Sequence, residues 1–291
     1  MSAIDVRGLR KAYGLHPVLH DVTFAVEAGQ TVALLGPNGT GKTTLVEILE
    51  GFRRRDAGEV TVLGEDPARE SRAFRLRVGV VLQETQHDHY LTVGETLDLV
   101  RGWYPDPLSA AEVLEAVSLQ GLVRQRVATL SGGQLRRLDV ALGIVGRPEV
   151  LFLDEPTTGF DPDARRQTWD VVRRLRDRGT TVLLTTHYLD EAEALADRVV
   201  VLHGGRVVAN QPPAKLGQRD QTHLVSFAPS CTAEALPSGG VVTAGRWAVE
   251  TADVTRAVRE LSRWAESHDQ QLDDLVIGRR SLEDAYLELI R

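Results

Sequence analysis

Cysteine is almost missing from this 291-residue chain. Cys231 stands alone, so no internal disulfide framework can form, and the composition fits a reducing compartment such as the cytosol. No run of roughly 18 apolar residues occurs, so no membrane-spanning helix is expected. The start, Met1-Ser2-Ala3-Ile4-Asp5, lacks the basic and apolar regions of a signal peptide. Positive charge is short as well. A formal charge of −7 argues against a protein that coats nucleic acid, so no nucleic-acid partner is expected. There is no internal repeat and no low-complexity tract. What remains is a hydrophobic fraction of 42%, which suits a globular core. The length suits one large domain, or one domain with a small appendage.

The strongest local signal is Gly36-Pro37-Asn38-Gly39-Thr40-Gly41-Lys42-Thr43, which fits the phosphate-loop pattern G-x-x-x-x-G-K-[ST] at every fixed position. The apolar run Thr31–Leu35 precedes it and reads as a buried strand; Leu45–Leu49 follows it and reads as a helix. Glycines let the backbone turn its N–H groups toward phosphate oxygens, and the helix adds the positive end of its dipole. Lys42 can reach the β- and γ-phosphates, and the Thr43 hydroxyl can ligate Mg²⁺.

Along the rest of the chain, Ile4–Val6 and Val22–Val26 read as strands, with Tyr13 in the segment between them. Tyr13 can pack ordinarily or stack on a flat ring. Val78–Leu82 reads as a strand ending at Gln83, where a polar side chain can ligate Mg²⁺, hold a water, or simply end the strand. From Glu84 to about Gly146 the pattern is helical, and His87 and His89 fall in a loop read as solvated. Leu130-Ser131-Gly132-Gly133-Gln134 opens a helix with Ser131 as N-cap and Leu135, Leu138, Ala141 and Leu142 as its apolar stripe. That start is either a plain cap or a second anion site.

Val150–Glu155 is a buried strand that ends in two carboxylates. Buried charge needs a cation or partners, so beside a phosphate loop Asp154 is the expected Mg²⁺-side acid. Glu155 is then placed to polarise a water. Asp161 caps the next helix, with Pro162 at its first position. His187 follows the buried strand Thr181–Thr185 and is either structural or a γ-phosphate contact. After Gln211-Pro212-Pro213 the pattern changes to a small α+β appendage, with strands at His223–Phe227, Val241–Val249 and Leu275–Ile277, a helix at Val254–Ser267 and a terminal helix capped by Ser281.

Taken together these residues resemble the nucleotide-binding subunits of ATP-binding-cassette (ABC) transporters. The pentapeptide Leu130–Gln134 is similar to the signature motif, and it occurs in the right order with the phosphate loop and the Val150–Glu155 strand. Tyr13, Gln83, Asp161 and His187 are similar to the aromatic loop, Q-loop, D-loop and H-loop, while Phe160 stands where the family more often has Leu. The resemblance implies an α/β fold: a P-loop NTPase core with an antiparallel β subdomain, a helical signature subdomain and a small C-terminal α+β extension. It implies a nucleotide-binding domain over residues 1–210, with the helical part at about 84–146, and an accessory extension over 211–291.

It further implies ATP and Mg²⁺ as cofactors. Nucleotide contacts would come from Tyr13, from the phosphate loop Gly36 to Thr43 with Thr44, and from Asp161. Ser131, Gly132, Gly133 and Gln134 would serve the nucleotide of a second copy or a related ATPase subunit. Thr43, Gln83 and Asp154 would serve the metal, and Lys42, Gln83, Glu155 and His187 would serve hydrolysis. The absence of spanning segments requires a separate integral membrane permease, with this chain peripheral on the cytoplasmic face. Leu91–Leu97, Asp154–Pro162 and Ser281–Glu288 resemble the ATPases of drug and antibiotic exporters, whose short extension supports subunit contacts and coupling to the permease. A cassette ATPase acting on ribosomes, iron–sulfur assembly or DNA, and an importer ATPase, are the alternatives.

Overall fold

The structure is a computed structural model. It describes residues 2–83, 85–216, 223–229, 236–237, 239–243, 246–278 and 282–290. Its contacts divide the chain into two units, Met1–Pro213 and Ala214–Arg291.

The first unit opens with two long antiparallel strands, β1 (Ser2–Tyr13) and β2 (His16–Glu27), joined by a two-residue turn at Gly14-Leu15. The short strand readings at Ile4–Val6 and Val22–Val26 were therefore too narrow, and Tyr13 is the last residue of β1 rather than part of a connecting loop. Alternating burial drives this. Val22, Phe24 and Val26 face the core while Thr23, Ala25 and Glu27 face solvent. Strand β3 (Thr31–Leu35) leads through the glycine-rich loop into α1 (Lys42–Leu49), and β4 (Ala57–Val62) returns to pair with β1. The chain then builds α2 (Arg72–Arg77) and β5 (Val78–Val81).

The helical segment follows: α3 (Val93–Arg101), α4 (Ala110–Ala116) and α5 (Gly132–Ile144). Each carries a complete capping box, with Thr92/Glu95, Ser109/Glu112 and Ser131/Gln134 bonding reciprocally. The unit continues with β6 (Val150–Asp154), α6 (Pro162–Asp177), β7 (Thr181–Thr186), α7 (Leu189–Leu195), β8 (Arg198–His203) and β9 (Arg206–Gln211), and a single turn, α8 (Pro213–Leu216), begins at its last residue.

Two sheets result. One is antiparallel, in the order β2-β1-β4; the other runs β5-β6-β7-β3-β8-β9. All neighbouring pairs of the second are parallel except β8–β9. Its central strands are buried on both faces, which is why they read as continuous apolar runs. One apolar cluster joins the sheets, with Ile4, Val6 and Phe24 from the first and Leu34, Phe152 and Leu183 from the second. A fully buried side chain of this kind contributes about 1.5–3 kcal/mol relative to exposure. Helix α5 lies very close to β5 because both present glycine there. A Cβ on Gly79 would stand 2.3 Å from the Gly143 carbonyl oxygen.

The second unit holds β10 (His223–Ala228), β11 (Val241–Thr243), β12 (Arg246–Thr251), α9 (Val254–Ser267), β13 (Asp273–Gly278) and α10 (Leu282–Leu289). Its antiparallel sheet has the order β11-β12-β10-β13. The span read as one strand, Val241–Val249, is thus two strands paired with each other. Val225, Phe227, Trp247 and Leu261 form its core, with the Phe227 and Trp247 rings 5.4 Å apart. Ser281 and Cys231 lie outside the described residues.

Glu50, directly after α1, is 6% exposed. Burial, assisted by Asp154 and Glu47, pushes its carboxyl up to about 8. The fold thus favours the protonated form. This contribution is complete below the ordinary carboxylate range and is lost as pH rises toward about 8. Glu50→Gln cannot ionise, so the drop in melting temperature between pH 5 and pH 8 should shrink by several degrees in thermal denaturation. An unchanged pH sensitivity would contradict this account of Glu50.

Candidate functional site

Strands β5, β6, β7 and β3 are adjacent and parallel, so their carboxyl ends lie side by side. Gln83 follows β5, Asp154 and Glu155 end β6, His187 follows β7, and the glycine-rich loop follows β3. Ligand crevices of α/β sheets form at such edges. Here a cavity of about 540 Å³ is lined by Asn38, Gly39, Gly41, Lys42, Thr43, Thr44, Gln83, Asp154, Glu155, Thr158 and His187, with Val18 at its side.

The loop is shaped by its glycines. Gly41 has φ +97° and caps α1, a conformation that disfavours other residues. Lys42 begins the helix and is 7% exposed. Its ammonium donates to the carbonyls of Gly36 (2.7 Å) and Pro37 (3.1 Å). Thr40 Oγ1 also donates to Pro37, at 2.9 Å. Burial lowers the Lys42 pKa, and the charges of Glu155 and Asp154 act against that.

The carboxylates are held from several sides. Thr185 Oγ1 donates to Asp154 Oδ1, and the Glu155 N–H donates to Thr185 Oγ1 at 3.0 Å. Gln83 Nε2 donates to Glu155 Oε2 at 3.3 Å, and Thr158 Oγ1 donates to the same oxygen at 2.9 Å. His187 Nδ1 lies 3.3 Å from Glu155 Oε1. Glu155 itself has φ +45°, a left-handed conformation that costs a non-glycine residue about 1 kcal/mol.

Several expected site residues stand elsewhere. Tyr13 is 40% exposed rather than packed in the core. Its ring lies 5.2 Å from the Arg53 guanidinium and 5.7 Å from Lys11 Nζ, and its hydroxyl is 3.3 Å from Thr44 Oγ1. Ser131 and Gly132 are exposed, and none of Ser131, Gly132, Gly133 and Gln134 lines the phosphate-loop cavity. Asp161 also lies off that cavity and caps α6, accepting from the N–H groups of Asp163 and Ala164 at 2.9 Å each. The Ala164 N–H holds its carboxyl below the ordinary range.

Sequence reasoning missed other residues. His87 is not in a solvated loop. Its side chain is 5% exposed, and Nε2 lies 2.6 Å from Asp139 Oδ1. No group of three or more metal-ligating side chains occurs among the described residues. On α5 the buried face includes Arg136 and Asp139, whereas Leu135 and Leu142 of the expected stripe are only half-buried. An opposite-charge pair three residues apart in an apolar helix was the available signal. Glu191, fully buried, accepts from Thr157 Oγ1 (2.8 Å) and Trp169 Nε1 (3.0 Å), and burial raises its pKa. A larger cavity of about 760 Å³, among Phe52, Phe74, Leu99, Val100 and Trp103, is mostly apolar and lacks a glycine-rich loop and lysine. It is not built for phosphate.

Comparison with known proteins places the chain. The sequence profile of the ABC transporter family matches residues 19–158. A second profile, for the C-terminal domain of ABC transporter domain-containing protein-like sequences, matches residues 225–281. The daunorubicin resistance ATP-binding protein DrrA3 of Streptomyces coeruleorubidus is 39% identical over 99% of this chain and 96% of its own length. The chain belongs to the ABC transporter ATP-binding proteins. A second ABC relative, the Nod factor export ATP-binding protein I of Rhizobium johnstonii, is 42% identical over 74% of this chain and 70% of its own. A solved ATP-binding subunit of an ABC transporter superposes with a TM-score of 0.66 and 29% identity, over 74% of this chain and 91% of that one. As an ABC subunit the chain binds nucleotide and hydrolyses ATP, and its core is the α/β P-loop NTPase fold. No helix among the described residues is long and apolar enough to cross a membrane.

Thr185 is 1% exposed and bonds both carboxylate residues. Thr185→Val keeps the volume but takes the hydroxyl donor from Asp154 Oδ1 and leaves the Glu155 N–H only the Thr185 carbonyl, at 3.2 Å. Urea unfolding should report a loss of about 1–3 kcal/mol. Unchanged stability would mean these bonds do not hold the pair.

Proposed function

We propose that this subunit binds Mg-ATP at the phosphate loop, closes head to tail on a second copy or a related ATPase subunit, and so powers export of a drug, antibiotic or similar compound through a separate membrane permease. The observation that carries this is the separation of two anion-binding ends. The phosphate loop opens into one cavity with Glu155 and His187, while the capped start of α5 is exposed away from it. A helix N-terminus with an exposed serine and two glycines suits a phosphate brought by another subunit.

In this reading Lys42 and the loop N–H groups hold the phosphates, and Tyr13, flanked by cations, offers a flat face to the adenine. Thr43, Gln83 and Asp154 supply a hydroxyl, an amide oxygen and a carboxylate on one cavity wall. Such oxygen donors fit Mg²⁺, which takes few protein ligands beside phosphates. The ion supplies charge neutralisation at the β- and γ-phosphates. Glu155 accepts the proton of the attacking water as the new O–P bond forms and the bond to ADP breaks. Gln83 and Thr158 fix the carboxylate, and His187 stabilises charge on the γ-phosphate.

The export direction is supported by the relatives named for daunorubicin resistance and Nod factor export. The same relatives support a position on the inner face of the cell membrane, beside the permease. The residues from 211 onward form the accessory extension in this reading, serving subunit contact and coupling.

Glu155→Gln should bind Mg-ATP yet turn over at least roughly a hundredfold more slowly, and gel filtration should show a trapped dimer. Normal turnover would remove Glu155 from the role of base. Ser131→Arg should bind nucleotide as a monomer and fail to dimerise. If it still forms the ATP dimer, the assignment of Ser131 to the partner's nucleotide is wrong.

A further inference from the structure

Arg136 is a buried cation that the steps above leave without a task. It sits one turn into α5 and is 7% exposed. Taking a guanidinium out of water is expensive unless its N–H groups all find acceptors. Its acceptors are backbone carbonyls on two different strand ends. Nη1 donates to Leu82, the residue before Gln83. Nη2 donates to Asp154 at 2.5 Å, and Nε donates to Pro156 at 3.3 Å. Asp154 and Pro156 are the two neighbours of Glu155.

The fork is itself braced. Asp139, 8% exposed, stands 3.6 Å from Nη1, and His87 packs on its other oxygen at 2.6 Å. His87 belongs to the segment that follows Gln83, so α5 holds the chain on both sides of Gln83, Arg136 at Leu82 and Asp139 at His87. The neighbouring Arg137 makes no such bridge. It donates to Gly133 and Ser118, within the helical segment.

We infer that Arg136 is a positioning residue for hydrolysis: its guanidinium fixes the backbone on both sides of Glu155 and beside Gln83, and ties them to the helix whose first turn carries Ser131. This rests on the reading of Glu155 as the base. Glu155 has a left-handed backbone, and a strained residue keeps its geometry only where its surroundings over-determine it. Two of its restraints are the carbonyls held by Arg136; the others include its contacts with Thr185, Gln83, Thr158 and His187. The arrangement also gives a short mechanical route. A displacement of α5, when phosphate meets Ser131 at one end, moves the guanidinium and with it the strand ends that hold Gln83 and Glu155.

The test uses the full chain and compares wild type, Arg136→Gln, Arg136→Lys, Glu155→Gln and the double variant Arg136→Gln/Glu155→Gln in steady-state ATP hydrolysis, with folding checked by thermal denaturation. Lysine keeps the charge and the stem but cannot span carbonyls on two strands. Each folded Arg136 variant should lose at least roughly tenfold in kcat while KM for ATP stays within about threefold, the pattern of a misplaced group rather than weakened binding. The double variant should be within about twofold of Glu155→Gln alone, because Arg136 acts through Glu155. A side chain that only filled space would lower the melting temperature and leave kcat of the folded protein intact. A folded Arg136→Gln or Arg136→Lys protein with wild-type kcat, beside a slow Glu155→Gln, overturns the inference and leaves the reading of Glu155 standing. A Glu155→Gln protein with wild-type kcat overturns both.

Discussion

The parallel pairing of β5, β6, β7 and β3 sets where the polar groups of the candidate site stand. Val81 lies beside Leu153, Leu153 beside Leu184, and Leu184 beside Ala33. Because the four strands run in one direction and in register, the first residues beyond them emerge at one level. Those residues are an amide, two carboxylates, an imidazole and a loop of N–H groups. Chain segments as far apart as Lys42 and His187 meet in one cavity without any loop having to reach for the other. The antiparallel sheet serves this arrangement from a distance, by filling the apolar cluster beneath it.

Charge was placed with equal economy around that edge. The Asp154 and Glu155 carboxylates each accept from hydroxyl or amide donors before any cation is considered. Arg136 takes the carbonyls that a strand end leaves unpaired. One guanidinium thus gives three carbonyls a donor and joins helix to sheet at the same time. Burial opposes its charge, and Asp139 is the first of the groups that restore it.

Much of this was legible in the sequence, for identifiable reasons. Strands buried on both faces read as apolar runs, so β3, β6 and β7 stood out together with the polar residues at their ends. The phosphate loop was legible because its glycines obey a local rule of backbone conformation. The start of α5 was legible because Ser131 is a preferred N-cap residue. What stayed hidden depended on contacts between distant segments. His87 and Asp139 are 52 residues apart, and nothing in the spacing of two histidines in a polar stretch says that one is buried. The full length of β1 and β2 was missed because bulges interrupt their alternation. The split of Val241–Val249 was missed because β11 and β12 are both rich in strand-favouring residues and stand close together in sequence.

The left-handed backbone at Glu155 separates what folding favours from what the chain carries. Glycine would occupy that conformation without the steric penalty, and on conformational grounds alone it is the better residue there. A protein shaped only for durability would have drifted toward it. On the proposed role of Glu155, the carboxylate marks a trade in which a little ruggedness is given up so that an acid can stand at the strand's end. Positions of this kind, where local comfort and chemical use disagree, are where stabilising substitutions come at the expense of turnover.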